Sequence, residues 1–372
     1  MVDVATLADF GLGWLEPSGP YADIVLSTRV RLARNLQGHA FSTRSREGER
    51  EEIFERVRKA AAERSSLRGG VALALKALPR LSRKVLLERH LISRELAGEG
   101  GEGPTHGSGV LLGPGELVGV LVNEEDHLRL QSLLSGLRLQ EAYQLVDHLD
   151  EELGNQLPYA YHHEFGYLTS CPTNVGSGLR ASILIHLPGL VLTKEIGKVL
   201  QGISQVGLTF RGLYGEGSEV VGNFFQVSNQ TTLGKSEEDL IDHLQKIVRQ
   251  VIQYESQARN VLMRDAPRVI EDKIWRAYGL LRYARTLSFE EVMNLLSGVR
   301  LGVSLKLLPG LSVYTLNKIM IFTQAAHLEQ AAGRALSEAE SDLHRAAYVR
   351  RILASEGDVS ADLGAPGDGA EE

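Results

Sequence analysis

The chain has 372 residues, 43% of them apolar, enough to bury one large core or two smaller ones. Its 40 basic and 47 acidic residues leave a formal charge of −7, which argues against a nucleic-acid coat. The single cysteine, Cys171, excludes an internal disulfide and a thiolate-rich zinc site.

The first residues, MVDVATLADFGLGWLEP, include acidic side chains and lack the basic start and apolar run of a signal peptide. No apolar run reaches the ~18 residues of a membrane span, so the expected setting is the cytoplasm, with no membrane partner. Residues 23–32 (DIVLSTRVRL) predict a strand, and a charged amphipathic helix follows over roughly 47–63. VALALKAL at 71–78 predicts another strand, 82–92 a short helix, and 97–108 a glycine-rich loop. GVLLGPGELVGVLVN predicts a hairpin, and HLRLQ continues as a strand. Leu137, Leu139, Ala142, Leu145, Val146 and Leu149 recur at helical spacing, giving a helix near 137–153. Further strands fit FGYLTS, ASILIHL, GLTFRG and VVGNFFQVS, with a helix near 190–205. Short strands interleaved with helices predict an antiparallel-rich α+β domain.

At Ser236 the pattern changes. Behind this N-cap serine, Leu240, Leu244, Ile247, Val248, Val251 and Ile252 form one stripe of a long helix. No convincing strand follows. The expected organisation is an α+β domain over 1–255, a smaller all-α domain over 256–353 and a disordered acidic tail over 354–372. The boundary falls near 255–265.

Two apparent phosphate loops fail on inspection. GEGGEG at 98–103 follows helical residues rather than a strand, and Glu99 and Glu102 would repel an anion. LGKS at 233–236 lacks the first glycine of a P-loop, having Asn229 there.

Five polar segments lie in or beside strands: STRVRLARN (27–35), VNEEDHLR (122–129), CPTNVGSGLRAS (171–182), RGLYGEGSE (211–219) and SNQTTLGKSE (228–237). Arg29 and Arg31 stand two apart, so both point to one face of a strand. Side-by-side guanidiniums repel unless an anion lies over them, and their planar donor forks match phosphate oxygens. A solvated strand face would explain one such pair. Arg129, Arg180 and Arg211 in similar settings favour a shared anion, a triphosphate whose transition-state charge they would neutralise. With no aspartate pair in view, magnesium is expected on phosphate oxygens, not in a protein metal site.

Glu124 and Glu125 read either as an acidic turn or as carboxylates that orient and deprotonate a cationic nucleophile. Glu216 is a candidate partner. A guanidinium, with a pKa of ~13.8, costs about 9 kcal/mol to deprotonate unaided at neutral pH. A paired carboxylate can grip its fork and take the proton late in transfer. Cys171 reads either as a small buried side chain or as a thiolate that polarises a guanidinium. His90 reads from its position alone as an ordinary helix-end histidine.

Together these segments resemble the signature blocks of the phosphagen (guanidino) kinase family, in that family's order, across residues 23–255. The resemblance implies an antiparallel sheet flanked by helices. It implies ATP phosphates on Ser27, Thr28, Arg29, Val30, Arg31, Arg129, Arg180 and Arg211. It also implies nucleotide-contacting segments at Ala181, Ser182, Ile183 and Leu184 and at Gly212, Leu213, Tyr214 and Gly215, with His90 near the adenine. Glu125 matches the catalytic carboxylate, Glu216 stands opposite, and Cys171 matches the reactive cysteine.

Family kinases of free creatine or arginine carry a helical N-terminal domain before the first block; here that block begins at Ser27. This absence and the added helical region are similar to the bacterial protein arginine kinase group. That group implies protein substrates including a heat-shock repressor, a zinc-containing activator, Clp protease downstream, and a homodimer formed through the helical domain. Its phosphoarginine-binding RDxxRA motif matches Ser341 to Ala346, with Asp342 and Arg345 kept and serine in place of the first arginine. The alternatives are a kinase for free arginine and a non-catalytic phosphoarginine reader.

Overall fold

The computed structural model describes residues 12–41, 44–62, 64–99, 103–212 and 220–356. From β1 (Val25–Arg34) the chain passes through α1 (Glu47–Ala62) to β2 (Val71–Ala74), α2 (Arg80–Glu88) and α3 (Arg94–Ala97). Next come β3 (Gly109–Leu112), β4 (Val118–Val122), β5 (Leu128–Ser135) and α4 (Leu139–Gly154). A small hairpin, β6 (Tyr161–His162) and β7 (Gly166–Tyr167), leads to β8 (Leu179–His186), α5 (Pro188–Leu192), α6 (Ile196–Gln205), β9 (Leu208–Arg211) and β10 (Phe224–Asn229). The eight longer strands form one sheet in the order β2-β3-β4-β5-β1-β8-β10-β9, every neighbouring pair antiparallel.

The α+β class is as expected, and β1 takes the centre. Arg31 stands opposite Gln131 of β5 on one side and Arg180 of β8 on the other. The two faces of the sheet follow from the period-two alternation of side chains. Val30, Leu32, Leu130, Ile183 and Ile185 fill the back face, in one core with residues of α4 and of α7 (Glu237–Asp265). On the front face, polar positions give way along each strand to Leu26, Leu133, Leu184 and Phe224, which join a second core.

That second core belongs to the helical region: α8 (Pro267–Tyr283), α9 (Phe289–Ser304), α10 (Val313–Phe322), α11 (Ala325–Ala332) and α12 (Glu338–Ser355). Serines open α7, α9, α10 and α12 as N-caps. Ser236 accepts from the Asp239 amide, Ser288 from Glu291, Ser312 from Thr315, and Ser337 forms a full capping box with Glu340. A buried polar layer joins the two regions. Fully buried Glu255 accepts from the amides of Gly189 and Leu190, each at 2.9 Å, and from Arg259 Nε at 2.7 Å. Arg300 donates to Asn317 Oδ1 at 2.8 Å and to the Ala22 carbonyl at 2.6 Å.

Several boundaries differ from expectation. The strand at 71–78 stops at Ala74 and becomes a 3-10 turn. The helix near 190–205 is two, broken where Lys194 takes a left-handed φ of 63°. FGYLTS contributes only Gly166–Tyr167, where Tyr167 pairs with Tyr161 and also bridges to Gly176. Residue 255 lies inside α7, and the helical path breaks at Ala266, where Pro267 opens α8. The tail from residue 357 onward lies outside the described residues.

Candidate active site

The polar half of the front face floors a cavity of about 650 Å³. Arg29 and Arg31 of β1, Arg129 and Gln131 of β5, Arg180 of β8, and Arg211 and Gln226 of the outer strands line it. Arg29 is pushed down to about 10, first by burial, then by Arg129 and Arg180. Arg31 lies well below its usual range, from burial and then from Arg29, Arg129 and Arg180. Cations crowded this way are held against their own repulsion; an anion with several oxygens relieves it. Arg50 of α1 and Arg94 of α3 add positive charge at the rim.

Glu124 and Glu125 stand at the mouth, in the turn after β4. Arg129 reaches both, pairing with Glu124 through Nη1 and with Glu125 through Nη2 at 3.0 Å. Glu124 is nearly buried, whereas the Glu125 side chain is 41% exposed and free to meet an incoming group. Burial raises the Glu125 pKa most, Arg129 opposes the rise, and Asp126 and Glu124 add to it. The Cys171 thiol lies 3.0 Å from Thr173 Oγ1 and stands near enough to Glu125 to favour its ionised form. The thiol thus stands beside the carboxylate, and Asn174 and Gly178 of the same segment line the cavity.

The rest of STRVRLARN holds this end together. Arg34 is buried, donates to Asp150 through Nε (3.0 Å) and Nη2 (2.7 Å), and lies 3.5 Å from the Tyr167 ring centroid. Asn35 donates to Asp126 Oδ1 at 2.7 Å, and the Ser170 amide donates to the same oxygen at 2.7 Å. The loop before β8 needs Gly178: at φ 67° an added Cβ would come within 2.6 Å of the Ala33 carbonyl oxygen and 2.8 Å of Arg34 Nη1.

His90 caps the other end of the cavity. It takes a left-handed φ of 62°, is pushed down to about 3 by burial and then by Arg29, and meets the Trp14 ring edge-on at 5.9 Å. It is therefore a neutral ring, suited to contact a neutral base. Just before it, Glu88 accepts from the amides of Ala326 and His327 at the start of α11, at 2.8 and 3.0 Å. The helical region thus grips the segment that carries His90.

The expected site residues divide into three groups. Arg29, Arg31, His90, Glu125, Arg129, Arg180 and Arg211 meet around the cavity, with Ser27, Ser182 and Leu184 in a small recess beyond it. Thr28, Val30, Ala181 and Ile183, expected among the nucleotide contacts, point instead to the back of the sheet. Strand alternation turns them away, and Thr28 Oγ1 is spent on the Gly136 carbonyl and the Arg138 amide. Gly212 is buried next to Arg211, while Leu213, Tyr214, Gly215 and Glu216 lie outside the described residues. Asn35, Asp126, Arg50 and Arg94 were not expected. Asn35 and Asp126 sit inside quoted segments, but only the contact between those segments reveals their role.

Outside the cavity, Arg345 is buried and donates to the carbonyls of Thr323 and Leu287, each at 2.8 Å, and to Asp342 at 2.5 Å. Ser341 is buried beside it. Among the described residues, the one cluster with metal-ligand spacing is Glu47, Glu51 and His106, exposed and outside the cavity. No helix of the described residues is long and apolar enough to cross a membrane.

Comparison with known proteins agrees with this geometry. Residues 52–258 match the ATP:guanido phosphotransferase C-terminal catalytic domain, and residues 267–362 match the protein-arginine kinase McsB C-terminal domain. The chain is 46% identical over 344 residues to a protein-arginine kinase of Moorella thermoacetica, covering 92% of this chain and 97% of that one. It is 46% identical over 345 residues to one of Bacillus cereus, covering 92% and 96%. Among solved structures, the duplicated taurocyamine kinase of Schistosoma mansoni superposes with a TM-score of 0.58 at 27% identity, over 69% of this chain and 35% of that one. A lombricine kinase superposes with a TM-score of 0.56 at 23% identity, over 66% and 70%, a likeness of fold. An arginine-floored, carboxylate-ended sheet followed by this helical region places the chain in the protein-arginine kinase family of ATP:guanido phosphotransferases.

Proposed function

We propose that this protein transfers the γ-phosphoryl group of Mg-ATP to arginine side chains of other proteins. The observation that carries the reading is the juxtaposition of an arginine floor with the Glu124–Glu125 end of one cavity, with Cys171 beside Glu125. Arg29, Arg31, Arg129, Arg180 and Arg211 would hold the triphosphate and stabilise charge on the moving phosphoryl group. Glu124 is spent on Arg129, so magnesium would ride on the phosphate oxygens. The substrate guanidinium would replace Arg129 at Glu125. Its Nη attacks the γ-phosphorus, the bond from phosphorus to the ADP oxygen breaks, and the nitrogen proton passes to Glu125. Burial keeps that carboxylate a better proton acceptor than a solvated one. Cys171 would hold the fork in place, and Glu216 would grip its far side.

We assign catalysis to 1–255 and dimerisation with phosphoarginine binding to 256–353. The family matches at 52–258 and 267–362 support that division. The same membership supports a cytoplasmic stress-response role: marking clients for Clp protease, inactivating a heat-shock repressor, and responding to a zinc-containing activator. Phosphoarginine would act allosterically at Asp342 and Arg345. Incubation with labelled ATP, magnesium and casein should place acid-labile, base-resistant label on arginine. Label only on serine, or transfer only to free arginine, would overturn the reading.

A further inference from the structure

The catalytic end contains a carboxylate for which phosphoryl transfer, as derived above, has no use. Asp126 is 1% exposed, and its Oδ1 alone accepts from Asn35 Nδ2 and from the Ser170 amide. Asn35 follows the strand that bears Arg29 and Arg31, Ser170 precedes Cys171, and Asp126 itself follows Glu125. One oxygen atom thus ties the phosphate strand, the base and the thiol loop. Asn35 Oδ1 accepts from the His127 amide at 2.9 Å, which closes the ring. His127 Nδ1 in turn accepts from the Leu36 amide at 3.0 Å, so its other nitrogen donates to the Ala40 carbonyl.

Asp126 Oδ2 is buried with no hydrogen-bond partner among the described residues. A buried carboxylate oxygen left unpaired is costly, and a neutral acceptor could hold the same two donors at lower cost. The charge therefore invites a functional explanation, and Glu125 is its immediate neighbour. The groups facing Glu125 are Arg129, Asp126, Glu124 and the Cys171 thiol. Arg129 and the thiol favour the ionised form, whereas Asp126 and Glu124 favour the protonated one.

We propose that Asp126 is a positioning residue for phosphoryl transfer: its shared oxygen braces the turn that carries Glu125 against the end of β1 and the Cys171 loop, and its buried charge acts on that carboxylate. The inference rests on Glu125 being the base of the proposed reaction.

The test compares full-length Asp126→Asn, Asn35→Ala and Glu125→Gln with the unaltered protein. Two readouts are taken across pH: kcat/KM with Mg-ATP and casein, and the rate of Cys171 alkylation by iodoacetamide. Cys171 is the only cysteine of the chain, so the alkylation reports that thiol alone and needs no turnover. Asp126→Asn keeps an oxygen for both donors, so its plateau kcat should fall no more than about tenfold while the acid limb moves to lower pH. Asn35→Ala breaks the ring and should lower kcat by roughly 10–100-fold with the KM for ATP unchanged. Its Cys171 should also alkylate several-fold faster. Should Asn35→Ala fail to fold, the acid limb of Asp126→Asn decides. An unmoved limb in Asp126→Asn, or alkylation profiles identical in all variants, would overturn the proposal. Full transfer by Glu125→Gln would instead overturn Glu125 as base, and the alkylation profiles would still judge the brace.

Discussion

The front face of the sheet changes character within two pleats, and the two halves do different work. Along β1 the sequence runs Arg31, Arg29, Ser27, Leu26; along β5 it runs Arg129, Gln131, Leu133. Strand β8 runs Arg180, Ser182, Leu184, and β10 runs Ser228, Gln226, Phe224. The charged half floors the open cavity, and the apolar half is sealed by the helical region. One half concentrates repulsion that an anion relieves, while the other buries hydrocarbon that stabilises the chain whether or not anything is bound.

The contrast breaks most visibly at Arg31. Arg31→Ala should lower kcat/KM for phosphoryl transfer by about 10³ or more, as loss of a transition-state cation does elsewhere. Its Tm should nevertheless hold or rise, because Arg29, Arg129 and Arg180 lose a like-charged neighbour. A parallel loss of activity and stability would erase the distinction. Phe224→Ala is the converse. Denaturant unfolding should show a loss of about 3–5 kcal/mol, while the folded protein keeps its affinity for Mg-ATP.

The pH dependence sharpens the same boundary. Glu125 must be ionised to accept a proton, and its pKa is raised, so kcat/KM should be full at high pH. It should then fall, as pH drops, at a point above the ordinary glutamate range. Neither His90, at about 3, nor Arg29, at about 10, changes charge between those values, so neither accounts for that limb. The smallest effect is expected in the helical region. Arg345 is already committed to Asp342 and two carbonyls, so Ser341→Arg should tighten phosphoarginine binding by about tenfold or less in calorimetry. No gain would place phosphoarginine sensing elsewhere.

Much of this was legible in the residues. The spacing of Arg29 and Arg31 fixes a common face, the stripe after Ser236 fixes α7, and four of the five polar segments locate the cavity. Alternation also separates Arg29 and Arg31 from Thr28 and Val30, a distinction that a contiguous family block conceals. The gradient across four strands was not legible, because it depends on register, which pairs Arg31 with Gln131 and Arg180 from distant parts of the chain. For the same reason Asn35 and Asp126 look like ordinary loop polars until the fold brings them together 91 positions apart. The contact of Glu88 with α11 spans more than 230 positions and leaves no local trace.

The central claim is that the carboxylate at the end of an arginine-floored cavity takes the proton from a protein guanidinium. The most direct measurement is labelled phosphate transfer from Mg-ATP to casein arginine by Glu125→Gln, beside the unaltered protein, with ATP affinity measured on both. Retained ATP affinity with transfer reduced at least about 10²-fold is the expected result. Transfer at the unaltered rate would show that Glu125 is not the base and would contradict the account.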